Sequence, residues 1–374
     1  MKILLVTTGL GLGGAERQVC DLADEFVRKG HIVQIMSLNL RKEVAPNSSQ
    51  VKIFSLSMDK TLSGLLVALY RARNLLKEFR PDIVHSHMYH ANIFSRILRS
   101  IARMPRLICT VHSSYEGGKF RVLLYRATDR LASINTVVSE YAQRAFIESG
   151  AMTEERLVVV RNGIDTDRFK FRDNARQKFR DELKIASNDI FLLAVGRLED
   201  EKNYPELIRA FELVSQQEEF SRKLKLFIVG QGTMSEGLKN LVDERHLNDK
   251  IFFVGAKKDV ENWFSASDVF VLPSLYEGFG LVALEALASE RMVVTTNNIG
   301  VKGDIELFGE VAPSAYALEI ADKIRVAIQR LHDFNGAEAR RYIIDKYSIQ
   351  SVSTQWLEIY AGTDEKSCIS NHKV

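Results

Sequence analysis

Cysteines and long apolar runs are scarce in this sequence, and each shortage excludes a class of protein. Among 374 residues there are three cysteines, Cys20, Cys109 and Cys368, far apart in the chain. That spacing argues against a disulfide framework or a cysteine zinc site, and for a reducing compartment. No apolar run reaches the roughly 18 residues that span a bilayer. The first residues, Met1-Lys-Ile-Leu-Leu-Val-Thr-Thr, are too short an apolar run for a secretion signal and predict a first strand.

A strong net charge is also lacking, but the charges are unevenly distributed. The net charge is +3, with 26% charged and 46% hydrophobic residues, as in an ordinary globular protein. Residues 1–165 carry 23 Lys and Arg against 15 Asp and Glu, whereas the remainder carries 28 against 33. A basic first half and an acidic second half require an explanation in terms of what each half binds.

Short β-rich runs alternate with longer helical patterns along the chain. Most runs are continuously apolar, which is typical of parallel strands covered by helices on both faces. The predicted strands are 2–8, 31–38, 51–56, 83–85, 106–112, 136–138, 157–160, 190–195, 224–229, 251–254, 269–272 and 292–295. Intervening helices predict βαβ units. Each half should therefore be a doubly wound α/β domain with ligands at the carboxyl ends of its strands.

The expected domains are residues 1–170, 171–345 and a C-terminal segment, 346–374. A polar, charged stretch at 165–180 is expected to link the two α/β domains. The final segment holds a helical pattern at 351–360 and ends in a polar tail, 362–374, that is expected to be disordered.

A glycine-rich turn, Gly9-Leu-Gly-Leu-Gly13-Gly14-Ala-Glu16, follows the first predicted strand. Glycines let the backbone approach a phosphate, and the start of the next helix supplies amides and partial positive charge. The spacing also matches a dinucleotide fingerprint, but that motif requires an acid near the end of the second strand. This sequence has Ser37-Leu-Asn-Leu-Arg-Lys there. A nicotinamide site and a purely structural turn are the alternatives to a site for another phosphate-bearing ligand.

A second turn, Gly196-Arg197-Leu-Glu-Asp-Glu-Lys202, follows the first strand of the second half. Arginine offers a planar fork and lysine a point charge, so the two can neutralise a diphosphate. The alternative is an exposed loop whose cations pair with Glu199 and Glu201.

A third turn, Glu277-Gly278-Phe279-Gly280, precedes an apolar helix that carries Glu285. The first acid is expected in the glycine-rich turn and the second about two helical turns further on, roughly 12 Å along the axis. Amides at the helix start suit a phosphate, and carboxylates accept hydrogen bonds from sugar hydroxyls. The alternative is a surface helix with two solvated acids.

The histidines give weaker signals. His112 ends a predicted strand, where ligands dock, so a structural and a ligand-binding role are both open. His85, His87 and His90 follow another strand, but no carboxylate or cysteine joins them locally, and we predict no metal site. Asp165-Thr-Asp167 imitates an Asp-x-Asp metal motif, and we interpret it as a turn.

In order and spacing, these motifs resemble the retaining glycosyltransferases of family 4 (GT4). The matches are Gly13-Gly14-Ala-Glu16, Thr110-Val-His112, Val138-Ser139, Arg161-Asn162-Gly163-Ile-Asp165, Gly196-Arg197 with Lys202, Gly230 with Gly232, and Glu277-Gly-Phe-Gly with Glu285. The resemblance implies the GT-B fold, α/β with two Rossmann-like domains facing a central cleft and a last helix that crosses back to the first domain. It also implies catalysis without a bound metal or other cofactor.

The resemblance assigns roles to the matching positions. The implied catalytic residues are His112, Arg197, Lys202 and Glu277. The implied donor-binding residues are Gly13, Gly14, Asn162, Gly196, Gly230, Gly255, Gly278, Phe279, Gly280 and Glu285. Among these, His112 would contact the donor sugar, and the two cations would neutralise the leaving diphosphate. Glu277 would hold sugar hydroxyls, and Glu285 would bind the ribose of the nucleotide.

Basic amphipathic patterns at 92–103 and 119–130 predict peripheral contact with an anionic membrane. The alternative is that both helices pack their apolar stripes on the sheet. Nucleic-acid binding is not expected, because the helices are rich in Leu and Ile and the overall charge is near neutral.

The expected function is transfer of a hexose or N-acetylhexosamine from a nucleotide diphosphate sugar, with UDP as the expected nucleotide. The basic first half favours a glycan acceptor linked to polyprenyl diphosphate or lipopolysaccharide, in O-antigen, lipopolysaccharide or capsule synthesis. The expected location is cytoplasmic, on the inner face of the plasma membrane. The alternatives are a nucleotide-sugar epimerase of the same fold and an NAD(P)-dependent oxidoreductase.

Overall fold

The computed structural model describes residues 1–114, 117–217 and 224–362. The chain divides into two compact units: Met1–Gly163 with the segment from Tyr347 onward, and Ile164–Lys346. The second unit begins at Ile164, earlier than the expected residue 171. The polar tail that is expected to be disordered lies outside the described residues, except for Gly362.

Strands and helices alternate along both units. In chain order the strands are β1 Lys2–Thr7, β2 Ile32–Ser37, β3 Lys52–Ser55, β4 Ile83–His87, β5 Leu107–Val111, β6 Ile134–Val137, β7 Leu157–Val159, β8 Ile190–Val195, β9 Leu224–Val229, β10 Ile251–Gly255, β11 Val269–Leu272, β12 Met292–Thr296 and β13 Glu310–Ala312. The helices are α1 Gly14–Arg28, α2 Leu62–Phe79, α3 Tyr89–Ile101, α4 Lys119–Thr128, α5 Glu140–Glu148, α6 Asp173–Glu182, α7 Tyr204–Ser215, α8 Ser235–Glu244, α9 Val260–Ala266, α10 Leu281–Ala288, α11 Lys302–Phe308, α12 Ala317–Gln329, α13 Gly336–Tyr347 and α14 Ile349–Ala361. None of these described helices is long and apolar enough to cross a bilayer.

Each unit is built on one parallel sheet. The first sheet has the order β3-β2-β1-β4-β5-β6-β7, and the second β10-β9-β8-β11-β12-β13. In both sheets the strand order reverses once, between β1 and β4 in the first and between β8 and β11 in the second. Loops diverge at such switch points and leave room for ligands at the carboxyl ends of the strands. The predicted α/β class, with two Rossmann-like domains, is confirmed.

Strand β13 is missing from the strands that the sequence predicts. It has three residues and begins with Glu310, so it shows no continuous apolar run. Glu310 is nevertheless 7% exposed, and its carboxylate pairs with Lys323 at 2.9 Å and with Arg330. These two cations allow a carboxylate at the edge of the core.

Helices α1 and α14 pack on one face of the first sheet, and α2 and α3 pack on the other. Helix α14 comes close because Gly163 has no side chain. A Cβ there would lie 2.7 Å from Ile349 Cδ1 and 2.9 Å from Ile349 Cα. Trp356 and Tyr360 of α14 are 2% and 4% exposed, so this helix completes the core of the first unit.

Helix α3 belongs to the core, which corrects its interpretation as a membrane-contacting helix. Arg96 is fully buried. Its guanidinium donates hydrogen bonds to the Tyr125 carbonyl at 3.3 Å, the Thr128 hydroxyl at 3.0 Å and Asn135 Oδ1 at 2.6 Å. A basic amphipathic pattern is common to membrane-surface helices and to helices that bury a hydrogen-bonded arginine, and only the neighbouring chain distinguishes them.

The expected linker at 165–180 is partly helical, because α6 begins at Asp173. Arg176 and Arg180 of this helix both bind the carboxylate of Asp268, just before β11. The charges that suggest an exposed linker therefore fasten α6 to the second sheet.

Candidate active site

Four of the predicted site residues lie in the loops at the switch point of the second sheet. Gly196, Arg197 and Lys202 follow β8, and Glu277 follows β11. Because β8 and β11 are adjacent and parallel, their carboxyl ends meet at the same edge. The structure brings Lys202 and Glu277 into direct contact there.

Lys202 and Glu277 form a largely buried ion pair. Lys202 Nζ donates to Glu277 Oε1, and the Ser274 hydroxyl donates to the same oxygen at 2.8 Å. The two charged side chains are only 16% and 17% exposed. Burial and the charge of Glu277 raise the pKa of Tyr204, which packs beside them. An ammonium has three protons and a carboxylate two oxygens, so each group keeps hydrogen-bonding capacity for a ligand.

Contacts from two other loops hold the segment after β11 in place, and one of these loops is itself bound to the loop after β13. The Glu277 amide donates to the Asn298 carbonyl, beyond β12, at 2.9 Å. Asn203, which has a left-handed φ of 56°, donates from Nδ2 to the Pro273 carbonyl at 3.1 Å and to the Ala315 carbonyl, beyond β13, at 2.8 Å. The ion pair therefore sits on a preorganised edge.

Arg197 lies on the surface of the same edge. Its side chain is 62% exposed and pairs with Glu201 at 2.8 Å. Glu199 instead accepts hydrogen bonds from the Thr233 amide and hydroxyl. The alternative in which both cations pair with acids of the same loop is therefore found for Arg197 but not for Lys202. An exposed pair four residues apart is weak, so Arg197 can exchange its partner for a ligand at little cost.

Close backbone approach accounts for one of the predicted glycines, Gly230, and a left-handed backbone accounts for another, Gly255. A Cβ at Gly230, where φ is 154°, would lie 1.8 Å from the Gly196 carbonyl oxygen. The Gly230 amide donates to the Gly255 carbonyl at 3.0 Å, and Gly255 has a left-handed φ of 73°. Both glycines are therefore required by the backbone of the loops after β8, β9 and β10, independently of any contact with a ligand.

The third turn ends at Gly280, the N-cap of α10, with a left-handed φ of 95°. Phe279 is 4% exposed, so its side chain anchors the turn, and Gly278 adds no side chain at all. Helix α10 begins only at Leu281, so Glu285 lies about 6 Å along the axis from the helix start. Glu277 itself lies before the helix, in the turn, and Glu285 is partly buried in the second turn of α10.

In the first unit, the glycine-rich turn follows β1, beside the switch point with β4. The Leu12 amide donates to Glu43 Oε2 at 3.2 Å, which ties the turn to the segment after β2. Gly13 is the N-cap of α1 and has no side chain with which to cap it, and Gly14 begins the helix. The first-turn amides and the helix dipole make this terminus suited to an anion.

His112 is part of a histidine network at the same edge. Its Nε2 lies 3.0 Å from Nδ1 of His87, the last residue of β4, which is 1% exposed. The His87 ring lies 4.0 Å from the ring of His85, centroid to centroid. His85 in turn contacts the Tyr360 hydroxyl through Nδ1 and the Thr110 hydroxyl through Nε2, both at 2.6 Å.

His90 does not join this network. Its exposed ring packs edge-on against Tyr89, with the centroids 5.1 Å apart. Within residues 1–114, 117–217 and 224–362, no group of three His, Cys, Asp or Glu is arranged to hold a metal ion. Asp165 forms a turn, as predicted, and its Oδ1 accepts from the amides of Asp167 and Arg168 at 3.2 and 3.0 Å.

Two family models match the chain. The model "Glycosyltransferase Family 4" matches residues 12–168, and "Glycosyl transferases group 1" matches residues 175–330. Together they span most of the sequence and of both α/β units. The chain belongs to the GT4-type glycosyltransferases.

Relatives of this glycosyltransferase include enzymes of polysaccharide synthesis. It is 27% identical over 364 residues to the Staphylococcus aureus capsular polysaccharide biosynthesis glycosyltransferase CapM, covering 90% of each chain. It is 28% identical over 255 residues to the Escherichia coli UDP-Gal:alpha-D-GlcNAc-diphosphoundecaprenol alpha-1,3-galactosyltransferase, covering 65% of this chain and 64% of that one. Its fold matches Anabaena HepE, crystallised with UDP, with a TM-score of 0.81 and 20% identity over 97% and 100% of the two chains. The protein is therefore a GT-B glycosyltransferase related to bacterial polysaccharide biosynthesis enzymes.

Some residues around the candidate site of the glycosyltransferase carry little signal in the sequence. Tyr360 reaches His85 only through tertiary packing, whereas Ser274 lies three residues before Glu277 and binds it locally. The sequence does indicate that His87 lies beside His85, because alternate residues of a strand share a face and these two histidines are two residues apart. Asn162, by contrast, follows β7, the outermost strand and three strands from β4, so the structure does not bring it to the switch point.

The free energy of unfolding of the glycosyltransferase should fall as the pH drops from 6.5 towards 4. Burial lowers the pKa of His112 from 6.5 to about 4, and it lowers the pKa values of His85 and His87 well below 6.5. In that window the unfolded chain binds protons that the folded chain does not, so stability rises with pH and levels off above 6.5. Urea unfolding across the window would measure the slope.

The His112→Gln variant should show a shallower slope, because one of the buried imidazoles no longer titrates. His332→Gln is the matched control, since the His332 side chain is 98% exposed, and it should leave the slope unchanged. Equal slopes for His112→Gln and the wild type would contradict the prediction.

Proposed function

We propose that the protein transfers a hexose or N-acetylhexosamine from a UDP-sugar to a lipid-linked glycan in bacterial surface polysaccharide synthesis, with retention of anomeric configuration. The Lys202–Glu277 ion pair at the edge of β8 and β11 carries the proposal. The HepE crystal structures with UDP and with UDP-glucose support the choice of donor. The name of the Escherichia coli relative supports a diphosphoundecaprenol-linked acceptor.

The cations of this edge would stabilise the leaving diphosphate. Breaking the anomeric C–O bond leaves an oxocarbenium-like sugar and a nucleoside diphosphate with additional negative charge. Glu277 already holds Lys202 in place, and Arg197 lies on the same loop. Fixed cations that bind the developing charge more tightly than the ground state lower the barrier. These two cations would take the part that a metal ion plays in other transferases.

The carboxylate of Glu277 would orient the sugar. Ser274 and Lys202 both bind Oε1, so the side chain is fixed before any ligand arrives. A fixed carboxylate accepts hydrogen bonds from sugar hydroxyls, and its charge favours a sugar ring that becomes positive in the transition state.

Retention follows if the acceptor attacks from the face that the diphosphate leaves. The acceptor hydroxyl oxygen bonds to the anomeric carbon, and the electron pair of the breaking C–O bond goes to the diphosphate. A departing phosphate oxygen takes the acceptor proton. The products are the glycoside and UDP, so this path requires neither a protein base nor a cofactor.

Labelled sugar should be transferred from a UDP-sugar to a polyprenyl-diphosphate-linked glycan in excess EDTA, because Lys202 and Arg197 would neutralise the diphosphate without a metal ion. Lys202→Ala should lower kcat by about 10²–10³ through loss of one transition-state contact. Lys239→Ala, on the exposed side of α8, should leave it unchanged. Loss of transfer in EDTA with recovery in Mg²⁺ would contradict metal independence. Isomerised UDP-sugar without transfer would indicate an epimerase.

The two glutamates should respond differently to neutralisation. Glu277→Gln should lower kcat strongly but leave UDP binding at least as tight, because Lys202 loses its partner and keeps its charge. Glu285→Gln should weaken UDP binding itself by about 1–3 kcal/mol, the range for a lost hydrogen bond to a charged group. Calorimetry with UDP distinguishes the two effects. The reverse pattern would mean that the donor lies in the opposite direction along α10.

We also propose that the first unit touches an anionic membrane through α4. Phe120 and Leu123 are 71% and 58% exposed, and Lys119 and Arg126 are exposed beside them. Residues three or four apart share one face of a helix, so apolar and basic side chains lie together. Such a face suits the boundary between lipid headgroups and acyl chains.

The double variant Phe120→Ser with Leu123→Ser should no longer sediment with vesicles of anionic phospholipid, while its free energy of unfolding stays near that of the wild type. Arg96→Met is the matched comparison. It should lower the free energy of unfolding by roughly 3 kcal/mol, because buried acceptors lose a charged donor. The folded fraction of Arg96→Met should still bind vesicles. Undiminished sedimentation of the double serine variant would exclude α4 as the contact.

A further inference from the structure

A groove of about 600 Å³, the β10 groove, lies along the edge strand of the second sheet. Alternate side chains of β10 point to opposite faces of the sheet. Phe252 stacks on Phe227, with the ring centroids 4.8 Å apart, on the face where Phe227 also meets Trp263 of α9. Phe253 packs on the other face, against the core cluster that includes Val242 of α8. The groove therefore passes from one face to the other around the edge of the sheet.

The backbone of β10 presents hydrogen-bonding groups to this groove. The Leu226 amide of β9 donates to the Lys250 carbonyl at 2.8 Å, and Leu226 is in register with Ile251. Successive residues of a strand direct their backbone groups to opposite sides, so Ile251 and Phe253 face away from β9. The Ile251 amide donates to the Leu247 carbonyl at 2.9 Å. Phe253 therefore directs both its amide and its carbonyl into the β10 groove.

Strand β10 lacks the features that usually protect an edge strand. Edge strands commonly carry charged residues or proline, because an open row of backbone groups pairs with another strand. At the opposite edge of the same sheet, β13 begins with the charged residue Glu310. Strand β10 reads Ile251-Phe-Phe-Val-Gly255, without a charge, and Phe252, Phe253 and Val254 each keep part of their surface exposed. The middle of β10 is therefore suited to accept a strand.

The helix beside β10 favours a second copy of this chain as the source of that strand. Strands of a sheet lie about 4.8 Å apart, and a crossover helix covers the two strands that it connects. Helix α8 connects β9 and β10. If one β10 pairs with another, the two copies of α8 lie two strand spacings apart, about 10 Å, which is the usual distance between packed helices. A single extended peptide would bring no helix to fill this side.

The charges that line the β10 groove are complementary to themselves under a two-fold axis. Lys239 and Asp243 both line it from α8, and residues four apart share one face of a helix. Copies of α8 related by this axis run antiparallel, so Lys239 of one copy lies near Asp243 of the other, and the contact occurs twice. On the other side, the end of α6 also contributes one acid and one base, Glu182 and Lys184. A contact between identical surfaces requires such a balance, because a charge of one sign would face its own image.

We propose that β10 and α8 form an interface between two copies of this chain, in which the two six-stranded sheets join through antiparallel β10 strands. Phe253 of one copy pairs with Phe253 of the other, and the two residues exchange two N–H···O=C hydrogen bonds. The side chains of Lys239 and Asp243 pair across the axis. None of the residues that line the groove belongs to the candidate active site, so this association does not depend on the proposed transfer reaction.

Sedimentation velocity of the full chain without substrate should show a reversible monomer–dimer equilibrium between roughly 1 and 100 µM, because small interfaces bind weakly. Amide hydrogen exchange in residues 251–254 should slow as the dimer forms, since the Phe253 amide then has a partner. A protein that stays monomeric over this range would overturn the inference. A dimer with unchanged exchange in residues 251–254 would overturn it as well, because its interface would lie elsewhere.

Reversing one charge on α8 should weaken the dimer, and reversing both should restore it. Lys239→Glu and Asp243→Lys should each raise the dissociation constant of the dimer roughly tenfold, because like charges then face one another at both contacts. The double variant exchanges the two charges and should dimerise like the wild type. Both side chains are exposed, so Tm should stay near that of the wild type. Single variants that dimerise normally, or a double variant that does not recover, would overturn the inference.

Asp333→Lys is the matched control for the change of charge. Asp333 is 85% exposed and follows α12, whose Lys323 binds Glu310 of β13 at the opposite edge of the sheet. This variant changes the net charge as Asp243→Lys does, but far from the β10 groove, so the dissociation constant of the dimer should not change. Equal weakening by Asp333→Lys and Asp243→Lys would point to overall charge and overturn the proposed contact.

Discussion

The reversal of strand order in the middle of each parallel sheet sets where every candidate site residue lies. All strands of a sheet point the same way, so every loop that can carry a ligand-binding residue emerges at one edge. The loops at the centre of that edge diverge and leave space between them. In the second unit this places Lys202, after β8, against Glu277, after β11. In the first unit it places the glycine turn after β1 beside His87 at the end of β4.

The two edges differ in charge, and the difference follows from how each one satisfies its buried groups. In the second unit a cation and a carboxylate neutralise each other, and a serine hydroxyl supports the carboxylate. In the first unit burial keeps the histidines neutral, and they bind to one another and to hydroxyls.

Buried charges elsewhere show why a charge pattern alone is ambiguous. Arg96 and Arg180 both occur in basic, helical stretches that read as exposed, yet both are buried. Each is tolerated because polar partners surround it: carbonyl and side-chain oxygens for Arg96, and Asp268 with backbone carbonyls for Arg180. On α4, by contrast, the apolar side chains of Phe120 and Leu123 are exposed. The same composition thus yields a core helix in one place and a surface helix in another.

Local sequence patterns are enough to predict the fold class, twelve of the thirteen strands within the described residues, and the glycine, lysine and glutamate motifs, because continuous apolar runs and turn residues act over short distances. They place Lys202 and Glu277 in loops at the carboxyl ends of strands, but not in contact. Which partner each charge takes follows from the packing of the folded chain. Lys202 binds Glu277 across 75 residues, Arg96 turns inward to Asn135, and His112 meets His87. These pairings depend on strand order and helix packing, and local propensity does not encode contacts between residues so far apart along the chain.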